Sequence, residues 1–445
     1  LSQAHPAREQ VRIAAQDAAR FAPQFQPQIR YLATIDPTIE GRQETAAAAS
    51  YLLNAVSHTR RIRVVEPVDP DYRVLRIHLA AYADARDPKT YQVLANAWEA
   101  LAVIDPYFHV VPEVLGDGQV RKTLVDGPWI DGGQLAALHG FCVSNAPVLR
   151  ADWFVGQLLQ PGAYYEFADV SKTEAGFFAR LAVDRALAEQ LAANTGANLS
   201  RSKITQRNRR IVETPGLHGP AFVTLDVAVQ TPDRDVFRNP VSVKGLVDFQ
   251  HDASEVFAMK SNGFWLMALF NAAGERQDAV PQNVVAGDPH SVGGAAPVSP
   301  PVSCIRCHSL HGGIGALQPF ADQQSILPIG PGTTPAVAQR IAEFYDPSRQ
   351  QVRFERAEQD YARAVAAATG GMTPKEIATV LVERYNSAVE SPVTLATAAA
   401  ELELTEDEAR ALWGASEDPA LNLLLRGQEV TRQAWETAYS EAATR

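Results

Sequence analysis

The sequence predicts an α+β protein, predominantly helical, with helical N-terminal and C-terminal regions flanking a small antiparallel sheet. Three observations carry that expectation. Apolar residues recur near the 3.6-residue helical period at both ends of the chain. Short runs of β-branched and aromatic residues, divided by turn residues, fill the stretch after Gly219. No repeat at a fixed period runs through the sequence, which excludes a solenoid or propeller.

Taken in order, Arg8 to Phe21 carries Val11, Ile13, Ala14, Ala18 and Phe21 at helical spacing. Gln43 to His58 is alanine-rich and runs into basic residues, as a helix C-terminus prefers. The period then changes: Leu75, Ile77 and Leu79 alternate with Arg76 and His78, a half-buried strand. Asp87-Pro88 supplies a cap and a first-turn proline for a helix to about Val103. Val110 to Arg150 is mixed and punctuated by Gly and Pro. Thr173 to Ala193 is expected as a helix with Phe177, Leu181, Ala182, Leu187 and Leu191 as its apolar residues. Beyond Gly219 the expected strands are Phe222 to Val229, Val241 to Phe249, Glu255 to Met259 and Phe264 to Phe270. Ser261-Asn262-Gly263 and Asn271 to Gly274 read as their turns, the first able to supply the positive φ a tight hairpin needs. Pro289 to Pro301 reads as a loop. From Pro335 onward the chain is expected to be helical, with starts at Thr334-Pro335, Thr373-Pro374 and Thr405 to Glu408.

The totals exclude several classes. At 445 residues, 46% of them hydrophobic and 20% charged, the chain reads as two or three packed globular units. A net charge of −11 argues against a nucleic-acid or anionic-membrane surface. No run of eighteen apolar residues occurs, so no transmembrane segment is expected. Leu1 to His5 lack a charged leader and an apolar core, so a signal peptide is expected to be absent or already removed. Of three cysteines, Cys142 in Phe141-Cys142-Val143 reads as a buried small hydrophobe.

The other two stand in Cys304-Ile-Arg-Cys307-His308, the spacing of a c-type haem attachment sequence (heme c). Two thiols three positions apart can each form a thioether with one vinyl group of the same porphyrin, and the adjacent imidazole of His308 becomes the proximal iron ligand. With three Cys and ten His in the chain, the pattern arises by chance at a frequency on the order of one in a thousand or less. The competing reading is zinc, which wants a fourth ligand and usually a second Cys/His pair; only His290 and His311 are at hand. Haem c also implies a periplasmic or otherwise exported protein. The expected organisation is a helical region over 1–135, a mixed region with antiparallel strands over 136–300, a haem-attachment loop over 301–330 and helices over 331–445.

A sixth, distal iron ligand has several candidates. Met259 and Met267 fall in strands and read as core; Met372 sits beside a helix start; His290 and His311 lie in loops, the latter suited to a haem propionate. His251 is the preferred candidate. It stands in Asp248-Phe-Gln-His251-Asp252-Ala-Ser-Glu255, where a flanking carboxylate can hold an imidazole in one tautomer for ligation or acid–base work.

The order of segments resembles an uncharacterised family of exported bacterial monohaem cytochromes of the planctomycete and myxobacterial type. The landmarks are Arg30-Tyr31-Leu32, Asn54 before Ser57, Arg76-Ile77-His78-Leu79, Asp105-Pro106-Tyr107, Arg150-Ala-Asp-Trp-Phe154 and Asn208-Arg209. Phe249-Gln-His-Asp252 with Glu255, followed by Asn262-Gly263, resembles the family's F-x-H-D-G-G-E … P-N-G block. Here Ala253 and Ser254 replace two of its glycines and Ser261 its proline, while the His and Glu persist. The resemblance implies the haem and the fold, and points to His251 as the distal residue; it implies no activity.

Three functions follow from one haem in so long a chain. Electron transfer ranks first, although a soluble carrier needs only about 100 residues; the surplus suits docking to a redox partner protein, as a subunit of a larger redox complex. A peroxidase-like or oxygen-activating oxidoreductase ranks second, with His251 and Glu255 or Asp252 as the acid–base pair and Trp265 or Tyr107 as electron relays. An assembly or sensor module with a structural haem ranks third.

Overall fold

The computed structural model describes residues 6–107, 110–114, 120–124, 132–183, 210–229, 231, 234, 250–285, 287–294, 296–310, 335 and 347–444. The fold is α+β and predominantly helical. The chain forms two compact units, both discontinuous in sequence: Leu1–Leu53, Arg63–Leu158 and Glu383–Arg445 make one, and Asn54–Ile62 with Leu159–Val382 make the other.

The first unit begins with α1 (Pro6–Ala18), β1 (Ile29–Ala33) and α2 (Ile39–Val56). It continues through β2 (Glu66–Pro67), β3 (Val74–His78), α3 (Pro88–Ile104), the hairpin β4 (Val110–Val114) and β5 (Val120–Leu124), α4 (Gly132–Cys142), β6 (Val148–Arg150) and α5 (Ala151–Leu158). Its main sheet has the order β2-β3-β1-β6, with β1 antiparallel to β3 and parallel to β6. The alternation read at Leu75 to Leu79 holds: Val74, Leu75 and Ile77 are buried, whereas Arg76 and His78 are partly exposed. Asp87 caps α3 by accepting from the Lys89 amide, with Pro88 in the first turn. The mixed stretch before Arg150 resolves into the β4–β5 hairpin and α4, neither of which its punctuation had specified.

The second unit opens, after the end of α2, with α6 (Pro161–Ala168) and α7 (Glu174–Arg180). Thr173 caps α7 as expected, but the helix expected to reach Ala193 stops at Arg180. Ala182 turns into the left-handed region (φ 50°) and Val183 pairs with Gly216, so a strand-type bridge takes the backbone groups that another helical turn would need. Residues 184–193 lie outside the described residues.

The sheet of this unit is the expected meander, order β11-β10-β9-β8-β7, all antiparallel: β7 (Arg210–Gly216), β8 (Gly219–Asp226), β9 (Ala253–Met259), β10 (Trp265–Asn271) and β11 (Arg276–Gln277). Val241 to Phe249, expected as a further strand, lies outside the described residues. The turns form where they were read. Gly263 (φ 84°) and Gly274 (φ 74°) both adopt backbone that L side chains avoid, and a Cβ on Gly263 would stand 3.0 Å from the Ala364 Cβ. The strands are not half-buried. Met259 and Met267 are core residues, and both faces of β8–β10 are covered. On one face Ser254 donates to Glu174 of α7 and Phe270 meets Phe177 edge to face. On the β11 side of β10, Met267 and Leu269 donate their amides to the hydroxyls of Tyr164 and Tyr165 of α6.

The chain then enters a short helix, α8 (Val302–Ile305), followed by α9 (Pro347–Thr369) and α10 (Pro374–Tyr385). Tyr361 of α9 packs on Phe264 and Trp265. The first unit resumes with α11 (Leu395–Ala400), α12 (Glu406–Trp413), α13 (Pro419–Leu425) and α14 (Arg432–Thr444). The Thr373 and Thr405 starts are both present, the latter with a full capping box; Thr334 is outside the described residues.

Candidate functional site

Cys304, Cys307 and His308 occupy one continuous helical segment: α8 carries Cys304 and runs without a break into a π-type turn, Arg306–Leu310. Pro301 accepts the Ile305 amide (2.9 Å) and Ser299 the Ser303 amide (3.0 Å), which closes the first turn. Positions three apart on a helix are neighbours on its surface, and Cys304 and Cys307 stand three apart on this segment. His308 follows on the same turn.

The segment packs on one face of β9. Glu255 and Phe257 alternate with Val256, so they point to the same side of the sheet. Cys304 donates its thiol hydrogen to the Glu255 carboxylate (3.6 Å), and the His308 ring lies 4.7 Å from the Phe257 ring. Cys304 is buried; Cys307 and His308 are half-buried. Burial, reinforced by the Glu255 and Cys307 charges, pushes the Cys304 thiol well above its ordinary value. An anionic sulfur is disfavoured there, whereas a neutral thioether meets no such penalty. Two thiols and one imidazole on a single helical segment are the donors that a covalently held haem would need. Among the described residues no three His, Cys, Asp or Glu side chains are grouped as a metal set.

Behind the segment lies Asp288, fully buried. Its Oδ2 accepts from Ser303 Oγ (2.8 Å) and from Arg306 Nη1 (3.1 Å), and its Oδ1 from the His290 amide (2.9 Å). Arg306 is only 1% exposed. Sequence reading missed both partners. The one signal was a charged residue between two cysteines, and nothing in the chain order names its counter-charge.

His251 is half-buried and lies just ahead of β9. Glu255 and Phe257, further along that strand, contact Cys304 and His308. The carboxylates read as its partners have other commitments. Asp252 Oδ2 accepts from the Ala228 amide and from Arg234 Nη1, both at 2.7 Å, and Glu255 faces Cys304; Asp248 is outside the described residues. His290 is exposed, Met372 is partly exposed ahead of α10, and His311 is outside the described residues. Tyr107 belongs to the first unit, where the Arg150 guanidinium stacks on its ring at 3.4 Å, while Trp265 packs on Phe222 and Tyr361 in the second. Cys142 is buried, which pushes its thiol up to about 12.

Several landmark segments meet in space. Tyr31 of β1 is in register with Arg76 of β3, and both bind Asp17. Asn262 donates to the Asn54 carbonyl (2.8 Å) and to Ser57 Oγ (3.2 Å), while Lys260 donates to the Ala55 carbonyl (2.7 Å). The turn after β9 therefore caps the end of α2. No family model, curated protein or solved structure matches the chain. No helix among the described residues is long and apolar enough to cross a membrane.

Proposed function

We propose that the chain is an exported monohaem c-type cytochrome that transfers electrons through a haem carried by Cys304, Cys307 and His308. The observation that carries the reading is the single helical segment on which both sulfurs and the imidazole stand, seated on β9. Bound haem supplies one-electron ferric–ferrous chemistry. The two cysteines anchor it against loss. His308 offers its imidazole, and the Phe257 ring restricts how that imidazole turns and keeps water from its flank. His251, ahead of the strand that carries Phe257, is the proposed distal ligand.

Electron transfer is favoured over catalysis because two strong axial ligands, His308 and His251, would leave no vacant position on the iron, and Asp252 is already engaged by Arg234 and the Ala228 amide. Attachment chemistry of this kind belongs outside the cytoplasmic membrane, and the rest of the chain gives a redox partner protein a docking surface.

The test is expression with export and a haem c maturation system, followed by intact mass and the alkaline pyridine spectrum. One covalent haem per chain is expected, and none in the Cys304→Ala/Cys307→Ala variant. The holoprotein should be six-coordinate and low-spin, and should not bind carbon monoxide when reduced. No covalent haem in the wild type would end the haem reading; a high-spin centre that binds carbon monoxide would end the carrier reading. His251→Ala should turn the spectrum high-spin, and an unchanged spectrum removes His251 from the iron.

A further inference from the structure

Ser303 and Arg306 are the residues immediately before Cys304 and Cys307. Both donate to the same atom, Asp288 Oδ2, at 2.8 and 3.1 Å. Positions 303 and 306 share one face of the helical segment, and positions 304 and 307 the next. A single carboxylate oxygen gripping the first pair therefore fixes the rotation of the segment about its own axis, and with it the direction of the second pair and of His308. The carboxylate is itself held. Its other oxygen accepts from the His290 amide, the Asp288 amide donates to the Ala296 carbonyl (2.7 Å), and the Asp288 carbonyl accepts from Ser291 Oγ (2.8 Å).

We propose that Asp288 is the positioning residue of the haem-bearing turn, acting through Ser303 and Arg306 to aim both sulfurs and the His308 imidazole. The proposal rests on the haem reading above. Packing alone does not account for the arrangement. Asp288 and Arg306 are 0% and 1% exposed, and burying such a pair costs desolvation that a well-packed apolar pair avoids. What apolar side chains cannot supply is two directed hydrogen bonds converging on one atom. The device uses the arginine at the second spacer position of the motif and the serine just before it.

The experiment compares wild-type, Asp288→Asn and Ser303→Ala holoproteins by electron paramagnetic resonance of the ferric state, which reads ligand type and the orientation of the imidazole plane. Glu401→Gln, a buried-ion-pair variant in the other unit, is the control for lost stability. Asp288→Asn should keep one covalent haem per chain, shift the resonance g values and move the midpoint potential. Ser303→Ala removes one arm and no charge, and should give a smaller g shift in the same direction. Glu401→Gln should leave the wild-type spectrum unchanged. Wild-type g values in both Asp288→Asn and Ser303→Ala would overturn the proposal. If Asp288→Asn does not accumulate as folded holoprotein, a wild-type spectrum in Ser303→Ala is enough to overturn it. A wild type without covalent haem removes the haem reading itself, whereas a haem-bearing wild type whose g values both variants share overturns the positioning alone.

Discussion

Each unit buries a carboxylate against arginine, but over different stretches of chain. In the first, Glu401 accepts from Arg150 (2.8 Å), from Arg432 and from Trp435 Nε1 (2.9 Å). Arg150 also binds Asp152 and lies over Tyr107. Arg150 and Glu401 are 251 positions apart, so the contact ties β6 to the helices that end the chain. In the second unit Asp288 and Arg306 are 18 positions apart, and the pair joins a loop to the turn that follows it. A contact that closes a long stretch of chain forms only with the unit as a whole and so reports on global stability. One that joins neighbouring segments can orient its surroundings while contributing less to cooperativity.

The sharpest way to break that comparison is Glu401→Gln. It leaves two buried guanidinium groups facing a neutral amide, and should cost about 3–5 kcal/mol, the usual loss when one partner of a buried ion pair is removed. Urea unfolding followed by tryptophan fluorescence measures it, since Trp413 and Trp435 are buried in the same unit. A loss below about 1 kcal/mol would mean the network does not hold the unit together.

The same group predicts a pH effect. Burial raises the Glu401 carboxyl, but Arg150 and Arg432 outweigh it and hold the group below its ordinary 4.5. A carboxylate with a depressed folded value contributes stability that is complete above the unfolded value and is lost as pH falls through the folded one. Wild-type stability should therefore fall with acid from about pH 4.5 downward, and less steeply in Glu401→Gln. Glu436 in the same cluster runs the other way, since burial raises its carboxyl. Some acid slope remains in the variant, because the Asp36 carboxyl is held low by Thr38 and Arg384 against its own burial.

What the sequence made legible follows the same division of range. The helix starts at Asp87, Thr173, Thr373 and Thr405 are written within four residues, and all four are present. The β9–β10 turn is written in Asn262-Gly263, and the pair of thiols in five consecutive residues. The early end of α7 was hidden, because it depends on Val183 pairing with Gly216. Strand β7 was missed because Pro215 and flanking glycines dilute its pattern. Asp288 was hidden for a further reason: a lone Asp-Pro in a Gly- and Pro-rich stretch reads as a turn former, and its partners come only after the chain has folded back. Arg150 and Arg432 look like ordinary surface residues until Glu401 is placed between them.

A smaller effect separates positioning from stability in the second unit. Replacing the whole pair, Asp288→Leu with Arg306→Met, leaves no buried charge unmatched. The gain from removing a buried ion pair is offset by the Ser303 hydroxyl and His290 amide losing their acceptor, so stability should change by less than about 2 kcal/mol, while the ferric spectrum still departs from wild type because the grip on Ser303 and Arg306 is gone. A wild-type spectrum in a stable double variant would show that the pair neither aims the turn nor is needed to hold the fold.

The smallest effect belongs to the feature most easily read. Asp87→Ala removes the cap of α3, an acceptor for the Lys89 amide at 3.1 Å, and should cost about 1 kcal/mol. The same urea titration of the first unit measures it beside Glu401→Gln. The cap is local, exposed and replaceable by water, so its loss exposes one amide to solvent and strands no charge. Glu401 is buried, so its loss takes the carboxylate from Arg432 and leaves Arg150 with Asp152 alone. If Asp87→Ala proves as costly as Glu401→Gln, range along the chain is the wrong axis for comparing these contacts, and α3 is a stronger determinant of the unit than the buried network.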